Sequence, residues 1–212
     1  MRVIAIDGPA GSGKSTVARR LAERLDLPYL DTGAMYRAVA FEALRCNVDP
    51  EDRPAVATLA RQLELEVTNT RVVVGGVDAT VEIRGPEVTR AVSIVAANTD
   101  VREEMRRRQR AWASRNGGGV IEGRDIGTVV FPDAELKVFL TADPETRARR
   151  RALEVTELDY ETVAADLARR DALDQGRDDS PLTEAADAIT VDTTNRTIDE
   201  VVDEVLVKLD AR

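Results

Sequence analysis

The chain has 212 residues, 43% of them hydrophobic, enough for one full domain with a sizeable core. A net charge of −9 and a pI near 4.8 exclude a global basic footprint for nucleic acid. The absence of histidine excludes an imidazole base, a phosphohistidine and a histidine metal site, while the lone Cys46 excludes an intrachain disulfide and fits a reducing compartment.

Residues 2–7, RVIAID, predict a short buried strand, and residues 14–25, KSTVARRLAERL, a helix with Val17, Leu21 and Leu25 on one face. Between them Gly8, Pro9, Ala10, Gly11, Ser12, Gly13, Lys14 and Ser15 fit the pattern G-x-x-x-x-G-K-[ST]. Strand, glycine-rich loop and helix are the context that this pattern demands. The glycines let backbone N–H groups turn inward onto oxyanions, and the helix adds its positive end. Lys14 places a point charge between β- and γ-phosphates, and the Ser15 hydroxyl is a ligand for Mg²⁺. The pattern leaves the reaction open. A guanine-reading Asn-Lys-x-Asp is absent, motor ATPases are usually longer, and a small-molecule kinase fits the length.

Further along, Tyr29-Leu30 reads as a brief extended segment, and Asp31 or Thr32 caps a helix over about 33–46. Residues 65–83 are β-rich, with Asn69-Thr70 and Gly75-Gly76 as turn signals, and predict a small antiparallel sheet inserted into an α/β chain. Helical patterning resumes over 86–97 and 99–115, and Gly117-Gly118-Gly119 punctuates the chain. VIE at 120–122, LKVFL at 136–140 and residues 188–191 read as buried strands, with helices over 144–156 and 160–173. The closing helix at 198–210 turns Ile198, Val201, Val202, Val205, Leu206 and Leu209 inward. Strands alternating with helices imply a parallel sheet covered on both faces. No signal peptide is visible and no apolar run approaches ~18 residues, so a soluble cytoplasmic protein that meets no membrane is expected.

Arginines stand out beyond the loop. Arg37 lies in DTGAMYR, Arg124 in EGRDIGT after a predicted strand, and Arg170 and Arg177 in RDALDQGR. Strand ends of this kind are where α/β sheets bind ligands, and a planar guanidinium suits phosphate. The alternative for each is a solvated surface residue. Asp125 is either a turn aspartate or a substrate acceptor. The run REEMRRRQR at 102–110 reads as a solvated helix face paired with neighbouring acids rather than a nucleic-acid patch.

Taken together, GPAGSGKST, LDTGAMYR, EIRGPEVTRAVSIVA, VREEMRRRQR, EGRDIGTVVFPDA and RDALDQGR resemble the bacterial cytidylate kinase family over about residues 2–206. The resemblance implies one P-loop NTPase-fold kinase domain of class α/β. Its five-stranded parallel sheet is flanked by helices, with a small antiparallel β insert in the nucleotide-acceptor region. The core would comprise 1–31, 117–145 and 175–212, the acceptor region 32–116 and a lid 146–174. It implies transfer of the γ-phosphoryl of ATP to CMP or dCMP, with Mg²⁺ accompanying ATP, by a monomer without nucleic-acid or membrane partners. ATP would be held by residues 8–15 with Thr16, and by Arg150 among the lid arginines of 147–151. Thr32, Tyr36, Arg37, Arg124 and Arg177 would bind or shape the CMP phosphate site, Ser93, Arg102 and Asp125 would read cytosine, and Arg170 and Asp174 would lie near the ribose. Lys14, Arg124 and Arg177 would be catalytic. Asp174 also stands i, i+4 to Arg170 on one helix.

A carboxylate accepts the N4–H of cytosine but would face the O4 acceptor of uracil, which explains the choice of base chemically. Two features depart from the family pattern. Residues 153–161, LEVTELDYE, lack the glycine turn that often follows the lid arginines, and Glu122 stands where aspartate is common.

Overall fold

The computed structural model describes residues 1–154 and 159–211. Its central sheet is parallel and five-stranded, in the order β2-β6-β1-β7-β8. The strands are β1 (Arg2–Asp7), β2 (Tyr29–Asp31), β6 (Gly118–Gly123), β7 (Leu136–Thr141) and β8 (Ile189–Asp192). Side-chain alternation along β1 divides the core. Val3 and Ala5 face the larger apolar cluster, whereas Ile4 and Ile6 face a second one beneath α1 (Lys14–Leu25) and α8 (Ile198–Asp210). The larger cluster is covered by α2 (Thr32–Arg45), α3 (Arg53–Gln62), α4 (Pro86–Ala96) and α5 (Thr99–Asn116). A third, small cluster joins Ala10 to α6 (Pro144–Glu154) and α7 (Tyr160–Gln175) through Ala148, Val163 and Leu167. Among the described residues, no helix is long and apolar enough to cross a membrane.

The β-rich segment forms a separate antiparallel sheet of β3 (Leu65–Val67), β4 (Val72–Val74) and β5 (Val77–Asp78). Here the structure shortens the predicted strand region. Only Val77 and Asp78 pair, and Glu82–Arg84 is a 3₁₀ turn that buries Ile83 against the larger cluster. Three further differences have local causes. Helix α3 escapes a search for large apolar periodicity because its buried face is Val56, Ala57 and Ala60, although Asp52 caps it and Pro54 sits in its first turn. Of the triple glycine, only Gly117 is a left-handed helix cap; Gly118 and Gly119 belong to β6. A Cβ on Gly119 would lie 2.6 Å from the Pro28 carbonyl oxygen and 2.8 Å from the Trp112 ring, so this strand tolerates no side chain there. Ile198 is exposed because it opens α8, Leu206 is only partly buried, and Val201, Val202, Val205 and Leu209 are inward. Of the helix predicted over 144–156, residues 155 and 156 lie outside the described residues, as does the middle of the glycine-free stretch 153–161.

Candidate active site

One cleft opens at the carboxyl ends of β1, β2 and β6. Its floor is the loop between β1 and α1. Gly8, Gly11 and Gly13 all have positive φ, and a Cβ on Gly8 would meet the Leu140 carbonyl oxygen at 2.0 Å. Gly13 precedes α1 without any side-chain cap, so the first N–H groups of the helix are left to another acceptor. Lys14 is buried, and its ammonium donates to the Pro9 carbonyl at 2.6 Å and lies 3.5 Å from Ser12 Oγ. Burial and the neighbouring Arg124 push its pKa well down, while Glu122 pulls it back.

The next wall is acidic. The Ser15 hydroxyl donates to Glu122 Oε2 at 3.0 Å, and the Tyr29 hydroxyl donates a short bond to Oε1. Burial, reinforced by Asp31, raises the Glu122 carboxyl to about 7. Asp7, at the end of β1, accepts from the Ile126 and Gly127 amides at 2.9 and 2.7 Å and so anchors the turn after β6. Burial lifts its pKa to about 6 despite those donors.

Opposite the loop stands an arginine cluster. Eight cationic side chains and four carboxylates line the cleft, so its local balance is positive in an acidic protein. Asp174 on α7 binds two of the cations: Arg124 Nε donates to it at 2.7 Å, and Arg177 makes a short bond to its other oxygen. Burial opposes the Asp174 charge, but Arg124, Arg177 and Arg170 outweigh it and hold the carboxyl below its usual value. Arg37 is fixed by the Ile83 carbonyl and Thr89 Oγ1, each at 3.0 Å. Burial, with Arg170 next, lowers it to about 9. Arg170 falls to about 10, from burial and then Arg124. The Nε groups of Arg102, Arg170 and Arg177 are buried without a hydrogen-bond partner among the described residues.

Deeper in, Arg102 is almost fully buried and donates to Asp125 Oδ2 at 2.5 Å and to the Ala96 carbonyl at 3.2 Å. Its guanidinium lies 5.5 Å from the Tyr36 ring centroid. Ser93 lines the same corner, and Thr32 Oγ1 donates to the Glu122 carbonyl at 2.6 Å.

The structure thus brings Ala10, Gly11, Gly13, Lys14, Ser15 and Thr16 into one cleft with Thr32, Tyr36, Arg37, Ser93, Arg102, Arg124, Asp125, Arg170, Asp174 and Arg177. Gly8, Pro9 and Ser12 support the loop from behind and do not line that cleft, and neither does Arg150, which donates to Thr193. Asp31 and Arg84, neither expected from the sequence as a site residue, also line it, as does Arg151. Arg151 belongs to the lid stretch, and Arg84 lies in EIRGPEVTRAVSIVA, where the resemblance assigns it no role.

The reading of REEMRRRQR as a solvated face paired with neighbouring acids holds for the pairing and is corrected for the face. Arg102 is internal, Arg106 donates to Asp179 and Ser180, and Arg108 reaches the Leu63 and Ala60 carbonyls. Arg110 reaches the carbonyls of Val129 and Val130. Backbone acceptors at loop ends recruit these long side chains as struts, while acids pair with Arg106 (Asp179) and with Arg107 and Arg108 (both Glu104).

The comparisons agree with this geometry. The family model described as cytidylate kinase matches residues 4–211. A protein of Desulfitobacterium hafniense named cytidylate kinase is 51% identical over 96% of this chain and 90% of its own length. One of Geobacillus kaustophilus with the same name is 50% identical over 96% and 94%, and one of Bacillus subtilis is 47% identical over the same shares. Among solved structures, an uncharacterized protein from Eubacterium ventriosum shares the fold at a TM-score of 0.57 and 17% identity, over 100% of both chains.

Proposed function

The chain belongs to the cytidylate kinase family, and on that premise we propose that it transfers the γ-phosphoryl group of ATP to the 5′-phosphate of CMP or dCMP, giving ADP and CDP or dCDP. The observation that carries the reading is the pairing, in one cleft, of a glycine-rich loop bearing Lys14 with a cluster of Arg37, Arg124, Arg170 and Arg177. Each is suited to a phosphate, and a phosphoryl group passes between two such sites.

A phosphate monoester has a second pKa near ~6, so its attacking oxygen is already anionic at neutral pH. No general base is required, in keeping with a chain without histidine. Catalysis is alignment of acceptor and donor, with Lys14 and the arginines neutralising charge on the transferred group. Arg124 and Arg177 enter this role already oriented by Asp174. Asp125, held by Arg102, would accept the cytosine N4–H, with Ser93 and Arg102 donating on the same edge. Thr32 and Tyr36 shape the acceptor phosphate site. Asp174 is engaged with two arginines, so a contact to ribose would come through Arg170 or be shared.

The donor set also fits Mg²⁺. The Ser15 hydroxyl adjoins the Glu122 carboxylate, both are hard oxygen donors, and Mg²⁺ sites of this class use one or two such groups plus phosphates. Ser15 would hold the ion with ATP, and when bound it supplies charge neutralisation at the phosphates. We assign 146–174 to closure over the donor, the protein to a reducing cytoplasm, and the working form to a monomer.

A panel of acceptors with ADP detection tests the proposal. CMP and dCMP should release ADP well above UMP or shikimate. Release with shikimate alone would make this a kinase of another class, and tight nucleotide binding without any transfer would make it a switch.

A further inference from the structure

Thr193 follows β8 and is anchored to the sheet, because its amide donates to the Thr141 carbonyl at 2.9 Å. The side chain is buried, and its hydroxyl donates to the Ser12 carbonyl at 3.1 Å. The same hydroxyl accepts from Arg150 Nη1 at 2.8 Å, and Arg150 Nη2 donates to the Thr193 carbonyl at 2.7 Å. One hydroxyl hydrogen and one lone pair are therefore both committed. The strut ends where the loop is most consequential. Ser12 is completely buried, its Oγ lies 3.5 Å from Lys14 Nζ, and a Cβ on Gly13 would stand 3.7 Å from Arg150 Nη1. Arg150 thus lies behind the last turn before Lys14 and reaches it through a residue 43 positions further along the chain.

We propose that Thr193 is a positioning residue for the donor-phosphate loop, and that Arg150 acts on the loop through it. The hydroxyl fixes the Ser12 peptide, which sets the direction of the amides around Gly13 and the root of Lys14. Without it, a buried carbonyl is left unmatched and the loop relaxes away from the geometry that cradles a triphosphate. The proposal rests on reading residues 8–15 as the donor loop.

Thr193→Val keeps the β-branched shape and removes the hydroxyl, whereas Thr193→Ser keeps it. Calorimetric titration with ATP alone, and steady-state kinetics with CMP varied separately, read the effect. Thr193→Val should raise the Kd and KM for ATP about tenfold, lower kcat, and leave the KM for CMP within about twofold, since an unmatched buried acceptor costs roughly a factor of ten. Thr193→Ser should stay within about threefold of the unsubstituted chain in all constants. If Thr193→Val does not fold, Arg150→Met carries the test, with a smaller rise confined to ATP. Equal rises for ATP and CMP, a serine variant as impaired as the valine one, or unchanged ATP binding would each overturn the assignment. ATP binding by a chain that transfers nothing to CMP would instead refute the kinase reading and leave the strut standing.

Discussion

The loop assigned to the donor and the cleft assigned to the acceptor both present cations to phosphate, and they are built from different materials. The loop takes its groups from eight consecutive residues, 8–15, mostly as backbone amides, with one lysine that makes no ion pair among the described residues. The cleft gathers Arg37 from α2, Arg102 from α5, Arg124 after β6, Arg170 from within α7 and Arg177 from just beyond it. These arginines are buried or half-buried and repel one another; carboxylates hold three of them, Asp174 for Arg124 and Arg177 and Asp125 for Arg102, and Arg37 rests on a carbonyl and a hydroxyl. A backbone cradle costs little to assemble and depends on glycine conformations. A side-chain cluster depends on charge balance, so its folding energy and its binding function share the same residues.

That contrast makes the largest expected effect purely catalytic. Lys14→Met should lower kcat on the order of 10³-fold, as loss of a charge from a preorganised site does, while leaving the urea midpoint nearly unchanged. Its ammonium contacts only loop oxygens among the bonds described, and methionine fills a similar volume. A variant retaining a tenth of the activity would remove the lysine from the donor site and dissolve the comparison.

On the acceptor side the expected damage is to folding as well. Asp174→Asn keeps the shape but leaves Arg124 and Arg177 without their counter-charge, which should cost about 3 kcal/mol in urea unfolding. The pH signature has a definite sign. The Asp174 pKa is depressed in the folded protein, so its contribution is present above the unfolded value of about 4 and is lost as pH falls through the folded value. Acid unfolding of the unsubstituted chain should therefore steepen below about pH 4, and the variant should lack that component. A variant as stable as its parent would mean that the arginines do not need the carboxylate.

Glu122 lies on the boundary between the two regions and titrates in the opposite sense. Its carboxyl is raised from its ordinary 4.5 to about 7 by burial, so the folded state holds the proton more tightly than the unfolded one. Stability is then greatest below 4.5 and declines as pH rises toward about 7. Glu122→Gln should flatten the fall of the urea midpoint over that range, leaving the shallower slope of Asp7, which is raised to about 6. An unaltered slope would show that Glu122 is not the group losing its proton there.

How much of this could be read in the sequence follows from the same division. The loop was legible because strand, glycine pattern and helix are contiguous, and the phosphate chemistry of each position follows from its spacing. The sheet was legible as alternating apolar strands and amphipathic helices, while the alanine face of α3 and the glycines inside β6 were not, since each depends on what packs against it. In the cleft, residue types could be read but partners could not. Arg124 and Asp174 are 50 positions apart, and only the fold joins them. Their assignment to an acceptor nucleotide came from resemblance. Arg84 lies in a stretch that carries the resemblance but has no role assigned by it, and Thr193 is a threonine in a loop without any signal.

Arg84 also supplies the smallest expected effect. It lines the cleft from the 3₁₀ turn after the β insert, yet about half of its side chain is exposed, and its ion pair with Asp31 is long, at 3.4 Å. An exposed cation of this kind attracts a phosphate dianion at a distance but is screened within about 8–10 Å at ordinary salt. Arg84→Ala should therefore raise the KM for CMP only about threefold at low ionic strength, with kcat unchanged, and the difference should vanish near 0.5 M salt. Its buried neighbour Arg37, fixed by a carbonyl and a hydroxyl, should show a defect that salt does not erase. If the Arg84 defect persisted in high salt, the residue would have to leave Asp31 and bind the substrate directly, and the line between an assembled cluster and a screened rim would move outward to include it.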